Sequence, residues 1–384
     1  MIGHDEILAA LQQEFPRGTA AQPEGVFLVA RLVDPDLGLG EPTPYVFIPD
    51  IHLVPEADAA HFPWVTTRPP QVDGLTRLAN VLGQLRQADA NLRVWQLGDC
   101  FDLWRTGDMG GPVAADVDAT LTDRKTLTDA LFTTAGAQLL AGNHDQDLLG
   151  FRWPGGPQAM NTVRLDRGAS TADVMLAHGH QFDLIESLPR EIKEFFARGA
   201  TEKIRPTPLG MLEAANPHWD PKVPDPPPPG RPGDRNAFLY FGLDPANPLP
   251  LAQDSVNVVP YEPPEDDPAA NFIASFGGGT NRKPTIDGPR QTFFTDIASW
   301  AKQLSEGGGE DVRLAVIGHT HQARIVQGER KDRVPFVLMD CGAWVDSSFL
   351  ADKLDQPIAN GQIGVKVGHD LRIYQLGYVV RTQD

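Results

Sequence analysis

The sequence is poor in cysteine, has fewer basic than acidic residues, and lacks long apolar runs. Two cysteines among 384 residues, Cys100 and Cys341, exclude a disulfide scaffold and a cysteine-based zinc module. Lys and Arg number 33 against 51 Asp and Glu, a formal net charge of -18. Polyanions and anionic lipid are held by a basic face, so a large nucleic acid is not an expected partner. Net charge says nothing about a single cleft, and a local metal or cationic site can still take a small anion. No stretch approaches the roughly 18 apolar residues of a membrane span. Met1 to Phe15 mixes His4, Asp5, Glu6 and Glu14 among its apolar residues and lacks both the basic and the apolar region of a signal peptide. A soluble cytoplasmic protein is the expectation.

Apolar residues make up 41% of the chain, enough for a packed core and too many for a disordered one. Its 37 glycines and 35 prolines predict many loops. At roughly 150 residues per domain, the length allows two or three domains, or one large domain with an insertion. Pro221 to Pro268 holds 14 prolines in 48 residues, and each lacks the donor that a helix or an inner strand needs. That segment is either a surface loop or an ordered lid. Its aromatics Phe238, Tyr240, Phe241 and Tyr261, with Trp219 just before it, favour order.

Hydrophobic spacing predicts helices at Ile7 to Phe15, Gly74 to Ala88 and about Leu121 to Ala135. Strands are expected at Val26–Val33, Tyr45–Pro49, Arg93–Leu97, Ala137–Ala141, Asp173–Ala177 and Val312–Ile317, with three more near Val334, Ile363 and Leu371. Five of these strands run straight into short polar blocks: Asp50-Ile51-His52, Gly98-Asp99-Cys100-Phe101-Asp102, Gly142-Asn143-His144-Asp145, His178-Gly179-His180 and Gly318-His319-Thr320-His321. Alternating strands and helices indicate an α/β layer, and in such sheets sites form beyond the carboxyl ends of the strands.

Together Asp50, His52, Asp99, Asn143, His178, His319 and His321 make an oxygen and nitrogen donor set without sulfur. Such a set suits Mn, Fe, Zn, Ni or Co, and a carboxylate can bridge two ions. The i, i+2 spacing of Asp50/His52 and His319/His321 lets each pair converge from an extended segment. Gly98, Gly142, Gly179 and Gly318 suit tight turns with close backbone approach. Each block alone is commonplace, and their ordered combination carries the signal. Cys100 and Cys341 read as packing residues. His180 reads as a hydrogen-bonded residue or a substrate contact, and Trp104 as a cleft wall or a core residue. His4, His61, His218 and His369 read as solvent-facing. Gly277 to Gly279 with Arg282 and Lys283 reads as a plain loop, with a phosphate cradle as the alternative.

The five blocks resemble those of the calcineurin-like metallophosphoesterases: D-x-H, G-D-x-x-D, G-N-H-[DE], a later His, and G-H-x-H. The resemblance implies an αββα sandwich, here split into a catalytic domain of residues 1–180 and 311–384 with a large Pro-rich insertion, 181–310, as cap or loop. It also implies two divalent transition-metal ions, Mn first among them. One would be held by Asp50, His52, Asp99 and His321, the other by Asp99, Asn143, His178 and His319. A metal-bridging hydroxide would attack phosphorus, with His144 as general acid and Asp102 orienting it. Asp102-Leu103-Trp104 and Asp145 depart from the protein phosphatase branch. The Gly-Asp-x-Phe-Asp-x-Trp texture is similar to that of UDP-diacylglucosamine pyrophosphatases, which carry Arg where this chain has His144. A small phosphodiester or pyrophosphate is the expected substrate, a phosphomonoester the second choice. A non-catalytic scaffold on the same fold is the alternative of another class. Glu186 to Lys203, with Arg190, Lys193, Arg198 and Lys203, reads as one wall of a cap or as a solvated helix.

Overall fold

In the computed structural model of the chain, the described residues are 1–16, 25–39, 43–56, 69–103, 113–145, 155–160, 162–165, 173–180, 311–321, 323–330, 332–344 and 361–377. Short pieces at 148–149, 153, 256–258, 297–298 and 301–302 are also described. Trp104, His61, His218, residues 186–203, the glycine run at 277–279 and most of 181–310 lie outside them.

The chain is mixed α/β with two sheets. α1 (His4–Glu14) starts at Gly3, whose backbone N–H donates to the Glu6 carboxylate, and buries Ile7 and Leu11 four residues apart. β1 (Val26–Val33) follows, then β2 (Tyr45–Ile48) and the long α2 (Pro69–Ala88). α2 begins five residues before its apolar periodicity does, on Pro69 and Pro70, which suit a first helical turn. β3 (Arg93–Gln96) leads to α3 (Val113–Asp123) and α4 (Lys125–Thr128), which runs into a π-helical turn (Asp129–Thr134). The single helix expected up to Ala135 is therefore broken at Arg124 and begins earlier, at Val113.

β4 (Gln138–Leu140), β5 (Ala159–Met160), β6 (Thr162–Leu165), β7 (Asp173–Ala177) and β8 (Val256–Val258) come next, and β9 (Val312–Ile317), β10 (Arg324–Glu329), β11 (Pro335–Asp340), β12 (Gln362–Val367) and β13 (Asp370–Leu376) close the chain. The first sheet has the order β1-β13-β12-β2-β3-β4-β5, the second β10-β11-β9-β7-β6-β8. β2, β3 and β4 are mutually parallel in the first, and β7, β9 and β11 in the second, so the carboxyl ends within each set share one edge. β8 lies at the outer edge of the second sheet, the place open to a short strand from a proline-rich stretch.

Buried on both faces, the central strands are largely apolar. Val46 and Ile48 of β2 join α1 and α2 in one cluster, whereas Tyr45 and Phe47 point the other way. Trp95, Leu140, Tyr45 and Phe47 there meet Val174, Leu176, Leu314, Val316, Val337 and Met339 of the second sheet. Met175, Ala315, Ile317 and Phe336 form a third cluster with Ile297, Ala298 and Ala301, so the tail of the 181–310 span packs on the second sheet. His4 departs from expectation: it is buried, with Nε2 bonded 2.9 Å from the Asp370 carbonyl oxygen, because α1 lies against the β12–β13 turn.

Candidate metal-binding site

All five polar blocks meet at the carboxyl ends of β2, β3, β4, β7 and β9, where both sheets contribute. The chain must turn sharply as each strand ends, and the backbone shows it. Gly98 has φ 96, while the ligand candidates His52, Asp99, His319 and His321 take φ 54, 51, 65 and 56. Left-handed φ is costly for non-glycine residues and persists only where surroundings over-determine it. Here the determinants are visible. The backbone N–H groups of Ile51 and His52 both donate to the Asp99 carbonyl, at 3.0 and 2.8 Å. The Gln96 side chain accepts from Gly98 N–H at 3.0 Å and donates to Gly98 O at 2.7 Å. A Cβ at Gly142 would run into the Asp99 carboxylate, so only glycine lets these two loops touch.

The carboxylates sit at the middle. Asp99 Oδ2 is 3.6 Å from His52 Nε2 and 3.2 Å from His178 Nε2, and so stands between two sets of donors. Asp50 Oδ2 is 2.9 Å from His321 Nε2, and His319 N–H donates to both Asp50 oxygens at 3.0 Å. His178 Nδ1 donates to the Leu97 carbonyl at 2.8 Å, which turns Nε2 inward, where it lies 3.1 Å from Asn143 Oδ1. The His319 ring packs edge-on against His178 at 5.1 Å, and His180 is buried beside both.

Among the described residues, three groups have ligand atoms close enough to hold a metal ion: Asp50/His52/His321, Asp50/Asp99/His178 and His52/Asp102/His144. The first two fit a cation on chemistry as well. His52 Nε2 and His321 Nε2 face each other at 3.3 Å, with the Asp50 and Asp99 carboxylates at hand. Lone pairs outnumber the protons there, and a divalent cation satisfies them at once. All the expected ligand residues thus come together, although His319 touches this cluster through ring packing and its backbone N–H.

The field of the site points the same way. Burial opposes a charge on His178, yet Asp99 and then Asp50 overcome it and push its pKa up to about 10. Against its own burial, Asp99 is held well below the usual carboxylate range, chiefly by His178. Two buried carboxylates here attract positive charge, whether a proton or a metal.

Asp102 Oδ1 accepts from His144 Nδ1 at 2.9 Å. The other oxygen, Oδ2, accepts from His52 Nδ1 at 3.1 Å, a second task that no motif announced. The two rings meet edge to face at 4.7 Å. Asp145 was likewise missed as a functional support. Its oxygens accept from the N–H groups of Gly142 (2.6 Å), Asp99 (3.3 Å), Cys100 (2.8 Å) and Phe101 (3.1 Å), tying the third block to the second. Burial and then the Asp99 charge push its pKa up to about 7. The one available signal was its place beside His144. Cys100 and Cys341 are buried, and burial pushes both thiols well above their usual range, in keeping with packing roles.

Among the described residues no helix is long and apolar enough to cross a membrane. No protein-family model matches the chain, and no curated protein matches its sequence.

Proposed function

We propose that the chain is a metal-dependent phosphoesterase that hydrolyses a phosphodiester or pyrophosphate bond of a small substrate. The single observation that carries this is the placement of Asp99 Oδ2 between His52 Nε2 (3.6 Å) and His178 Nε2 (3.2 Å), with His144 and Asp102 alongside. The resemblance of the five blocks to calcineurin-like metallophosphoesterases supports it, and with that family goes an αββα arrangement of the two sheets.

In this reading Asp50, His52, Asp99 and His321 hold one divalent transition-metal ion, and Asp99, Asn143, His178 and His319 a second. Mn is the first choice, with Fe, Zn, Ni or Co able to use the same donors. When bound, such ions supply Lewis-acid stabilisation of phosphoryl charge and lower the pKa of nearby water. The protein's own residues do the rest. Asp99 and Asp50 fix the charge balance, and the inward-turned His178 closes the floor. His144, braced by Asp102, gives a proton to the leaving oxygen. Phosphoryl transfer needs positioning and charge stabilisation more than covalent chemistry, and a rigid strand-end cluster provides both.

The test is metal analysis of the purified chain together with hydrolysis of bis(p-nitrophenyl) phosphate in Mn²⁺, extended to monoesters, cyclic nucleotides and nucleotide pyrophosphates. Bound transition metal with turnover of diesters or pyrophosphates is expected. A chain without metal or hydrolysis would defeat the enzyme reading, and a preference for monoesters would shift the substrate class.

A further inference from the structure

The fifth block is the most strained part of the site. His319 (φ 65) and His321 (φ 56) both lie in the left-handed region, and Thr320 N–H donates to the Gly318 carbonyl at 2.7 Å. A bond from residue i+2 to i around a residue of positive φ is a γ-turn of the rare, strained kind. Such a turn survives only where flanking bonds hold it. From inside, the Asp50 carboxylate accepts His319 N–H, and Gly318 N–H donates to the His178 carbonyl at 2.9 Å. From outside, the Thr320 hydroxyl donates to Asp340 Oδ2.

Asp340 is the last residue of β11, in register with Ile317 at the end of β9, and is fully buried. Arg324 Nη2, 3.2 Å away, contacts the same carboxylate oxygen from the start of β10. A buried carboxylate with a guanidinium partner is a stiff anchor, and it grips the residue between the two histidines.

We propose that Asp340 is a positioning residue: through Thr320 it holds His319 and His321 in the conformation that lets them bind metal. Asp340 touches neither ring and acts only through the loop. The proposal rests on the reading of this cluster as a metal centre. Supports behind a ligand shell typically change metal affinity about 10- to 100-fold when removed.

The experiment is titration of metal-stripped full-length protein with Mn²⁺ by calorimetry, for wild type, Thr320→Val, Thr320→Ser, Asp340→Ala and the Thr320→Val/Asp340→Ala double variant. Thermal unfolding without metal is followed in parallel. Thr320→Val replaces the hydroxyl by a methyl of similar volume and is expected to weaken Mn²⁺ binding about tenfold. The metal-free unfolding temperature should move little, and Thr320→Ser should restore the affinity. The double variant should bind no more weakly than Asp340→Ala alone, as expected of two residues acting through one contact. Wild-type affinity in Thr320→Val, or strictly additive losses, overturns the clamp while leaving the metal centre standing. A wild-type protein that binds no Mn²⁺ overturns both.

Discussion

Replacing Asp102 by Asn separates two jobs that one carboxylate performs. Its oxygens accept from Nδ1 of His144 at 2.9 Å and of His52 at 3.1 Å. An ionised carboxylate only accepts, so both rings carry a proton on Nδ1; His52 then presents a bare Nε2 to metal, whereas His144 must carry a second proton, on Nε2, to act as the acid. Asparagine keeps one acceptor and puts an amide donor in place of the other. If the amide faces His52, that ring must move its proton to Nε2, which faces His321 Nε2 at 3.3 Å, and a protonated nitrogen cannot bind metal. A hydrogen bond to a charged group contributes about 1.5–3 kcal/mol, which corresponds to roughly 10- to 100-fold in affinity. Mn²⁺ titration by calorimetry should therefore show Asp102→Asn binding 10- to 100-fold more weakly than wild type. Turnover of bis(p-nitrophenyl) phosphate should remain low even at saturating metal, because His144 is also loosened. Asp102→Asn with wild-type Mn²⁺ affinity would refute the reasoning that this carboxylate sets the His52 tautomer.

Other perturbations separate the remaining parts. His144→Ala should keep its metal by elemental analysis yet lose most turnover on substrates with poor leaving groups; unchanged rates would remove His144 from the chemistry. Gly98→Ala puts a side chain at φ 96, with its Cβ 2.7 Å from His178 Nδ1. It should lower stability in urea by about 2 kcal/mol or more. The metal-free protein should lose stability as pH rises from 6.5 towards 10, since the His178 pKa is raised from 6.5 to about 10 by folding. Its contribution is complete below the lower value and gone above the higher one. The same proton must leave when metal binds His178, so apparent Mn²⁺ affinity should rise up to tenfold per pH unit near pH 8. A flat affinity profile would show that His178 is not protonated in the metal-free state.

The central strands were legible because burial on both faces makes them largely apolar, as in Tyr45–Ile48 and Leu314–Ile317, and each ends on an obvious polar block. β10 escaped notice because it lies at a sheet edge and is half exposed, with Gln327, Gly328 and Glu329 interrupting its apolar run. The break at Arg124 was hidden because apolar residues continue on both sides of it. Within the site, the five polar blocks stood out because each comes within a few residues of a strand end, and the choice of seven ligand candidates among them rests on the resemblance of the ordered blocks. The supports did not stand out. Asp145 acts on backbone N–H groups of the second block 44 to 46 residues away, the second oxygen of Asp102 on a ring 50 residues away and Asp340 on a hydroxyl 20 residues away, and none of these leaves a periodic trace. His4 looked like an exposed residue near a chain end because its partner, the Asp370 carbonyl, lies 366 positions away.

The site draws Asp50 and Asp99 from one sheet and His178, His319 and His321 from the other, which makes it a seam. Ions bound there would act as a clasp between the two halves of the molecule. Only the docked pair of sheets presents the donors, so metal would bind the native state and not the separated sheets. At a free concentration one hundred times the dissociation constant, that linkage adds about 2.7 kcal/mol to the folded state. Chelation would then loosen the junction of the two sheets, and the hold of metal on this protein would double as a measure of how firmly its sheets stay together.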